Sequence, residues 1–141
     1  MKSSTNKVLL IENSVVVAER LIEVLRNIPE VNLVGAVDSE KAAIEYLRRE
    51  PVDIVLLDLH LKQGTGFGVL RALAGMQIRP RVIVLTNYDL PEYMHASLSL
   101  GAAHFLDKAR DLFRLSEIMR DIVAENRVRA GTDSSTSSNE L

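Results

Sequence analysis

Short aliphatic runs alternate along this chain with stretches in which apolar residues recur every three or four positions. The first run, Val8-Leu9-Leu10-Ile11, is bounded by Lys7 and by Glu12-Asn13, as a strand covered on both faces should be. From Ser14 onward, Ala18, Leu21, Ile22 and Leu25 fall at helical spacing with charged residues between them, until Pro29 ends the pattern. A second strand is predicted over Val31 to Val37. Ser39 then caps a helix with Ala42, Ala43, Tyr46 and Leu47 inward, which Pro51 stops. Ile54 to Leu57 is the third and most apolar strand, and Phe67, Leu70, Leu73 and Ala74 mark a short third helix. Pro80 precedes a fourth strand, Arg81 to Thr86. Pro91 opens a fourth helix carrying Met94, Leu98 and, as a further candidate, His95. Gly101 reads as a C-cap before a weak strand around Ala103 to Leu106. A long last helix follows, with Leu112, Leu115, Met119, Ile122 and Val123 on one face.

Five strand–helix units in this order call for parallel pairing through right-handed crossovers, hence a three-layer α/β domain. The pattern leaves the strand order open between 2-1-3-4-5 and the two-halved dinucleotide-binding order. Either one brings the loops after strands 1 and 3 to a common switch point. The domain is expected over residues 7–129, with residues 1–6 as an N-terminal extension and 130–141 as a flexible tail too polar to pack.

Composition narrows the function classes. The chain has 141 residues, 47% of them apolar, which suits one domain with a sizeable core. Its formal charge of -2 gives no general attraction to nucleic acid or anionic membrane, so direct nucleic-acid binding is not expected. Without cysteine there are neither disulfides nor thiolate metal sites. The first residues lack the apolar stretch of a signal peptide. No run approaches the roughly 18 to 20 residues of a membrane helix, and a cytoplasmic location is the expectation.

The chemistry gathers at the predicted strand ends. Glu12-Asn13 follows the first strand, Asp58 the third, Thr86 the fourth and Lys108 the fifth, all on one edge of the sheet. Each alone is compatible with a turn, a cap or a solvated charge. Together, carboxylate and amide oxygens suit magnesium, and a hydroxyl and an ammonium are what a phosphoryl group on Asp58 would need as donor and counter-charge.

These segments resemble the receiver domain of two-component response regulators over about Lys7 to Arg129. They are Leu9-Leu10-Ile11-Glu12-Asn13-Ser14, Ile54-Val55-Leu56-Leu57-Asp58-Leu59 with Gly66 beyond, Val82-Ile83-Val84-Leu85-Thr86, and Gly101-Ala102-Ala103-His104-Phe105-Leu106-Asp107-Lys108. The resemblance implies a flavodoxin-like fold with sheet order 2-1-3-4-5, a signalling switch rather than a true enzyme. Asp58 would accept a phosphoryl group from a phosphohistidine of a sensor kinase or phosphotransfer protein. Magnesium would be held by Glu12, Asn13, Asp58 and the backbone carbonyl of His60. Thr86 and Lys108 would bind the phosphoryl oxygens, and Thr86 and Phe105 would form the switch.

Departures from the family pattern are expected to matter. Asn13 stands where a second acid is usual, which lowers the charge available to a cation and motivates an alternative, a pseudo-receiver that binds protein without phosphorylation. Lys62 replaces a common proline and is expected to be solvated. Asn87 stands where a small residue is common, and Phe105 replaces a frequent tyrosine. His60, His95 and His104 fall on separate elements and are not expected to ligate through imidazole. The fourth helix, fifth strand and fifth helix would form the output or self-association face, with His95, Ser99, His104, Arg110, Arg114 and Arg120 on it. With no effector segment after Arg129, a stand-alone or truncated receiver is expected. Gly64-Thr65-Gly66-Phe67-Gly68 is a poor dinucleotide fingerprint, since it follows the third strand. A phosphatase with an aspartyl nucleophile would want a second aspartate two residues after Asp58, where His60 stands.

Overall fold

The computed structural model describes residues 5–140, with side chains described through residue 130. Five parallel strands, β1 (Asn6–Ile11), β2 (Val31–Val37), β3 (Ile54–Asp58), β4 (Arg81–Thr86) and β5 (His104–Asp107), form one sheet in the order β2-β1-β3-β4-β5. The helices between them are α1 (Val15–Arg26), α2 (Glu40–Arg49), α3 (Gly66–Ala74) and α4 (Pro91–Ser99). α5 (Leu115–Glu140) follows β5 after a single 3-10 turn, Leu112–Arg114. The order left open by periodicity is thus the flavodoxin-like one.

The strands are apolar on both faces because helices cover both. Val8, Leu10, Ile54, Leu56, Ile83 and Leu85 pack against Leu21 and Leu25 of α1 and Leu115, Met119 and Ile122 of α5. The alternate positions, Leu9, Ile11, Val55, Leu57, Val82 and Val84, meet Ala43 of α2 and Val69, Leu70 and Leu73 of α3. Each fully buried aliphatic side chain of this kind contributes about 1.5–3 kcal/mol. Ser14, Ser39 and Thr65 cap α1, α2 and α3, each accepting the amide three residues on.

Several expectations about individual side chains are corrected. On α4, Met94, His95 and Leu98 face solvent, and Ser97 is the residue buried there, with Tyr93 and Leu100 packed on the core. Ala74 is exposed at the end of α3, and Leu112 belongs to the 3-10 turn. α5 runs to Glu140 through the segment expected as a polar tail, and side chains from residue 131 on lie outside the described residues. Of the N-terminal extension, residues 1–4 lie outside them too, and Asn6 already pairs with Val31 in β1–β2. No described helix is long and apolar enough to cross a membrane.

Candidate functional site

Strand register assembles the site. Ile11 lies opposite Leu57, so Glu12 and Asp58 leave β1 and β3 at the same level. Asp58 lies opposite Leu85, one residue before Thr86, and Thr86 lies opposite Asp107, one residue before Lys108. Each strand carries its polar residue to the carboxyl edge of the sheet, where open parallel sheets bind ligands. All four are buried, Glu12 at 5% exposure, Asp58 at 4%, Thr86 at 0% and Lys108 at 7%.

Lys108 bridges the two acids. Its Nζ lies 2.9 Å from Glu12 Oε1, donates to Glu12 Oε2 at 3.0 Å, and sits 3.1 Å from Asp58 Oδ2. Backbone donors complete the arrangement. His60 N–H donates to Asp58 Oδ1 at 3.1 Å, Asn13 N–H to Asp58 Oδ2 at 3.4 Å, and Ser14 N–H to Glu12 Oε2 at 2.9 Å. Two buried carboxylates share one ammonium, so a negative charge remains largely withdrawn from solvent. Burial, opposed by the Ser14 amide and by Lys108, holds the Glu12 carboxyl above its ordinary range, with the Asp58 charge adding to the rise.

The donor set fits a hard divalent cation. Glu12 Oε1 is buried and accepts no hydrogen bond of good geometry despite its closeness to Nζ. With Asp58, the Asn13 amide and the His60 carbonyl it offers only oxygen, the preference of magnesium. The residues open onto a hollow of about 190 Å³ lined by Glu12, Asn13, Ser14, Asp58, His60, Asn87, Tyr88 and Lys108. The expected residues therefore converge, with two exceptions. Thr86 lies behind the lining, its hydroxyl accepting the Tyr88 N–H at 3.0 Å. Phe105 packs half-buried against the α2–α3 side of the core and does not line the hollow.

Sequence reasoning missed the groups that hold Lys108 in place. Lys108 N–H donates to the Thr86 carbonyl at 2.8 Å, and Asp107 N–H donates to Asp111 Oδ2 at 3.0 Å. Arg110 donates to Asp111 at 3.0 and 3.1 Å and reaches Asp89 at 2.6 Å, tying the β5–α5 loop to the β4–α4 loop. Those bonds keep Asp111 ionised below the ordinary carboxylate range, chiefly through Arg110, and raise Arg110 above its own. Tyr88 was also missed. Its ring centroid lies 4.7 Å from that of His60, both residues lining the hollow, and Tyr93 lies 6.1 Å from His60. Lys62 is exposed, as expected. Arg120, placed by the sequence on the output face, instead donates to the Asn27 carbonyl at 3.5 Å, towards α1.

The response regulator receiver domain family matches residues 8–120, and the chain belongs to that family. It is 34% identical over 82 residues to the Fimbriae Z protein of Salmonella typhimurium, covering 58% of this chain and 39% of that protein. The chain thus spans less than half the length of the first curated relatives it matches. Among solved structures it superposes with a TM-score of 0.77 and 25% identity on the receiver domain of the putative response regulator NarL from Mycobacterium tuberculosis, over 85% of this chain and 97% of that one. The Mn(2+)-bound response regulator Rcp1 is matched at a TM-score of 0.70 and 26% identity, over 83% of this chain and 91% of its own.

Proposed function

We propose that the chain is a phosphoryl-accepting switch in a two-component relay. The observation that carries this reading is the convergence of Glu12, Asp58 and Lys108, buried within 3.1 Å contacts at the carboxyl edge of the sheet. Asp58 is the nucleophile. Its carboxylate oxygen attacks the phosphorus of a phosphohistidine in line, the P–N bond breaks, and an acyl phosphate forms on Asp58 as the donor imidazole leaves. Glu12, Asp58, the His60 carbonyl and the Asn13 amide would hold magnesium, which supplies charge neutralisation during transfer. The Mn(2+)-bound form of Rcp1 supports a divalent cation in this family.

After transfer, Lys108 pairs with one phosphoryl oxygen, and Thr86 turns its hydroxyl from the Tyr88 amide to another. That movement frees the β4–α4 loop, and Phe105 follows by changing rotamer. The donor, a sensor histidine kinase or phosphotransfer protein, approaches the hollow past Val15 and Val16, apolar side chains exposed at the start of α1. Output runs through the α4–β5–α5 face, where Leu90, Met94 and Leu98 leave apolar surface exposed. Self-association or an output protein would cover it.

A second reading, a pseudo-receiver that binds protein without phosphorylation, is favoured by Asn13, which removes one charge from the cation site. The two separate in one experiment. Beryllofluoride with magnesium should shift the amide resonances of Thr86, Tyr88 and Phe105 in the native protein and leave those of Asp58→Ala unmoved. A native spectrum that does not respond at millimolar magnesium rejects the phosphoryl-accepting reading in favour of the second.

A further inference from the structure

We infer that Glu40, in the first turn of α2, is a positioning residue that grips the β3–α3 loop and so sets the cation-binding side of the Asp58 site; this rests on the function proposed above. α2 already has its own cap in Ser39, whose hydroxyl accepts the Ala42 amide. The Glu40 carboxylate crosses instead to the neighbouring element, where Oε1 accepts the Thr65 N–H at 2.9 Å. Backbone bonds run alongside. Glu40 N–H donates to the Gln63 carbonyl at 2.9 Å, Lys62 N–H to the Asp38 carbonyl at 3.0 Å, and Ser39 bridges Gln63.

Thr65 passes this grip inward. It pairs with His60 as an antiparallel bridge, while Gly66 N–H donates to the Leu59 carbonyl at 3.0 Å. A Cβ on Gly66 would strike the Asp58 carbonyl, so the start of α3 rests directly on the phosphoacceptor's backbone. His60, whose carbonyl is the loop's contribution to a cation, is thereby held between Asp58 on one side and Thr65 on the other. The glycines of this loop make room for the gripping carboxylate. A Cβ on Gly68 would fall on the Glu40 carboxylate, and one on Gly64, at φ 81°, would overlap its side chain. Glu40 also lies beside the first turn of α3, where the positive end of the helix dipole favours an anion.

The grip is tested from both sides with the intact chain. Glu40→Ala should speed amide exchange at Thr65 and His60 about tenfold, the loss of one charge-assisted hydrogen bond, while the core strands keep their protection. It should also weaken magnesium binding, titrated by amide shifts, several-fold, and Glu40→Gln should recover part of both because an acceptor oxygen remains. Glu45→Ala, on the exposed face of α2, should change neither. Gly68→Ala should lower Tm in the native background, by displacing the carboxylate, and raise it in the Glu40→Ala background, where only the better helix propensity is left. Unchanged exchange at Thr65 in Glu40→Ala, or the same sign for Gly68→Ala in both backgrounds, overturns the proposal. Faster exchange with native magnesium affinity also overturns it, since the loop would then be held without serving the site. If the native protein itself binds no magnesium, the proposed function fails, and the grip is judged on exchange and on Gly68→Ala alone.

Discussion

The two rims of the sheet treat charge in opposite ways. At the amino rim, Asp53 accepts the Lys7 amide at 2.8 Å and Arg81 meets Glu125 at 2.6 Å, with side chains that keep 30% and 54% of their surface in water. Asn6 donates to the Glu30 carbonyl and accepts from Asn126. At the carboxyl rim, Glu12, Asp58 and Lys108 keep 1%, 5% and 7% of their side chains exposed, and two acids share one base. An exposed pair costs little and contributes little, whereas an incompletely matched buried set is a burden on folding. A fold selected for stability alone would reverse this placement. Under the proposed function, the surplus negative charge lies where a cation and a phosphoryl group would be received.

The largest effect expected from breaking this contrast is at Lys108. Lys108→Met leaves two buried carboxylates facing each other and should cost about 3–5 kcal/mol in urea unfolding without divalent cations, part of which magnesium restores. Loss of stability below 1 kcal/mol would mean that the carboxyl rim is as solvated as the amino rim. Asn13→Asp sharpens the contrast from the other direction. It should tighten magnesium binding roughly tenfold, by adding a charged ligand, and lower metal-free stability, by adding a third acid. Calorimetric titration and unfolding on the same sample check both signs.

Arg81→Met, the matching change at the amino rim, should cost less than about 1 kcal/mol, and the loss should shrink in high salt. The smallest effect concerns His104, at the start of β5. Burial, then the Arg81 and Arg114 charges, hold its imidazole below 6.5, against the opposing pull of Glu125 and Asp121. The unfolded chain therefore takes up a proton before the folded one does. Stability from this group is complete above pH 6.5 and is lost as pH falls through the folded value. His104→Gln should flatten that part of the stability profile, and Arg81→Met, by letting the folded value rise towards 6.5, should shrink it.

Much of the carboxyl rim was legible in the sequence because a parallel strand ends where its apolar run ends. Glu12, Asp58, Thr86 and Lys108 each follow such a run, and regular register does the rest. Strand order was not legible from periodicity, since the same βα units fit two sheets. The packed face of α4 was misread because Met94 and Leu98 are its aliphatic residues at helical spacing, while Tyr93 and, just past the helix, Leu100 are the ones that reach the core. The pairings of Arg110 with Asp89 and of Glu40 with Thr65 were invisible for another reason. The partners lie on other elements, 21 residues away for Asp89 and Arg110 and 25 for Glu40 and Thr65, brought together only by the fold.

Under the proposed function, Asp58 accepts a phosphoryl group despite the charge missing at Asn13. Intact-mass measurement after incubation with acetyl phosphate and millimolar magnesium tests it directly. The native protein should gain the mass of one phosphoryl group, an increment absent from Asp58→Ala and from native protein stripped of magnesium by a chelator. An unmodified native mass, or the same increment in Asp58→Ala, would mean that Asp58 is not the phosphoryl acceptor.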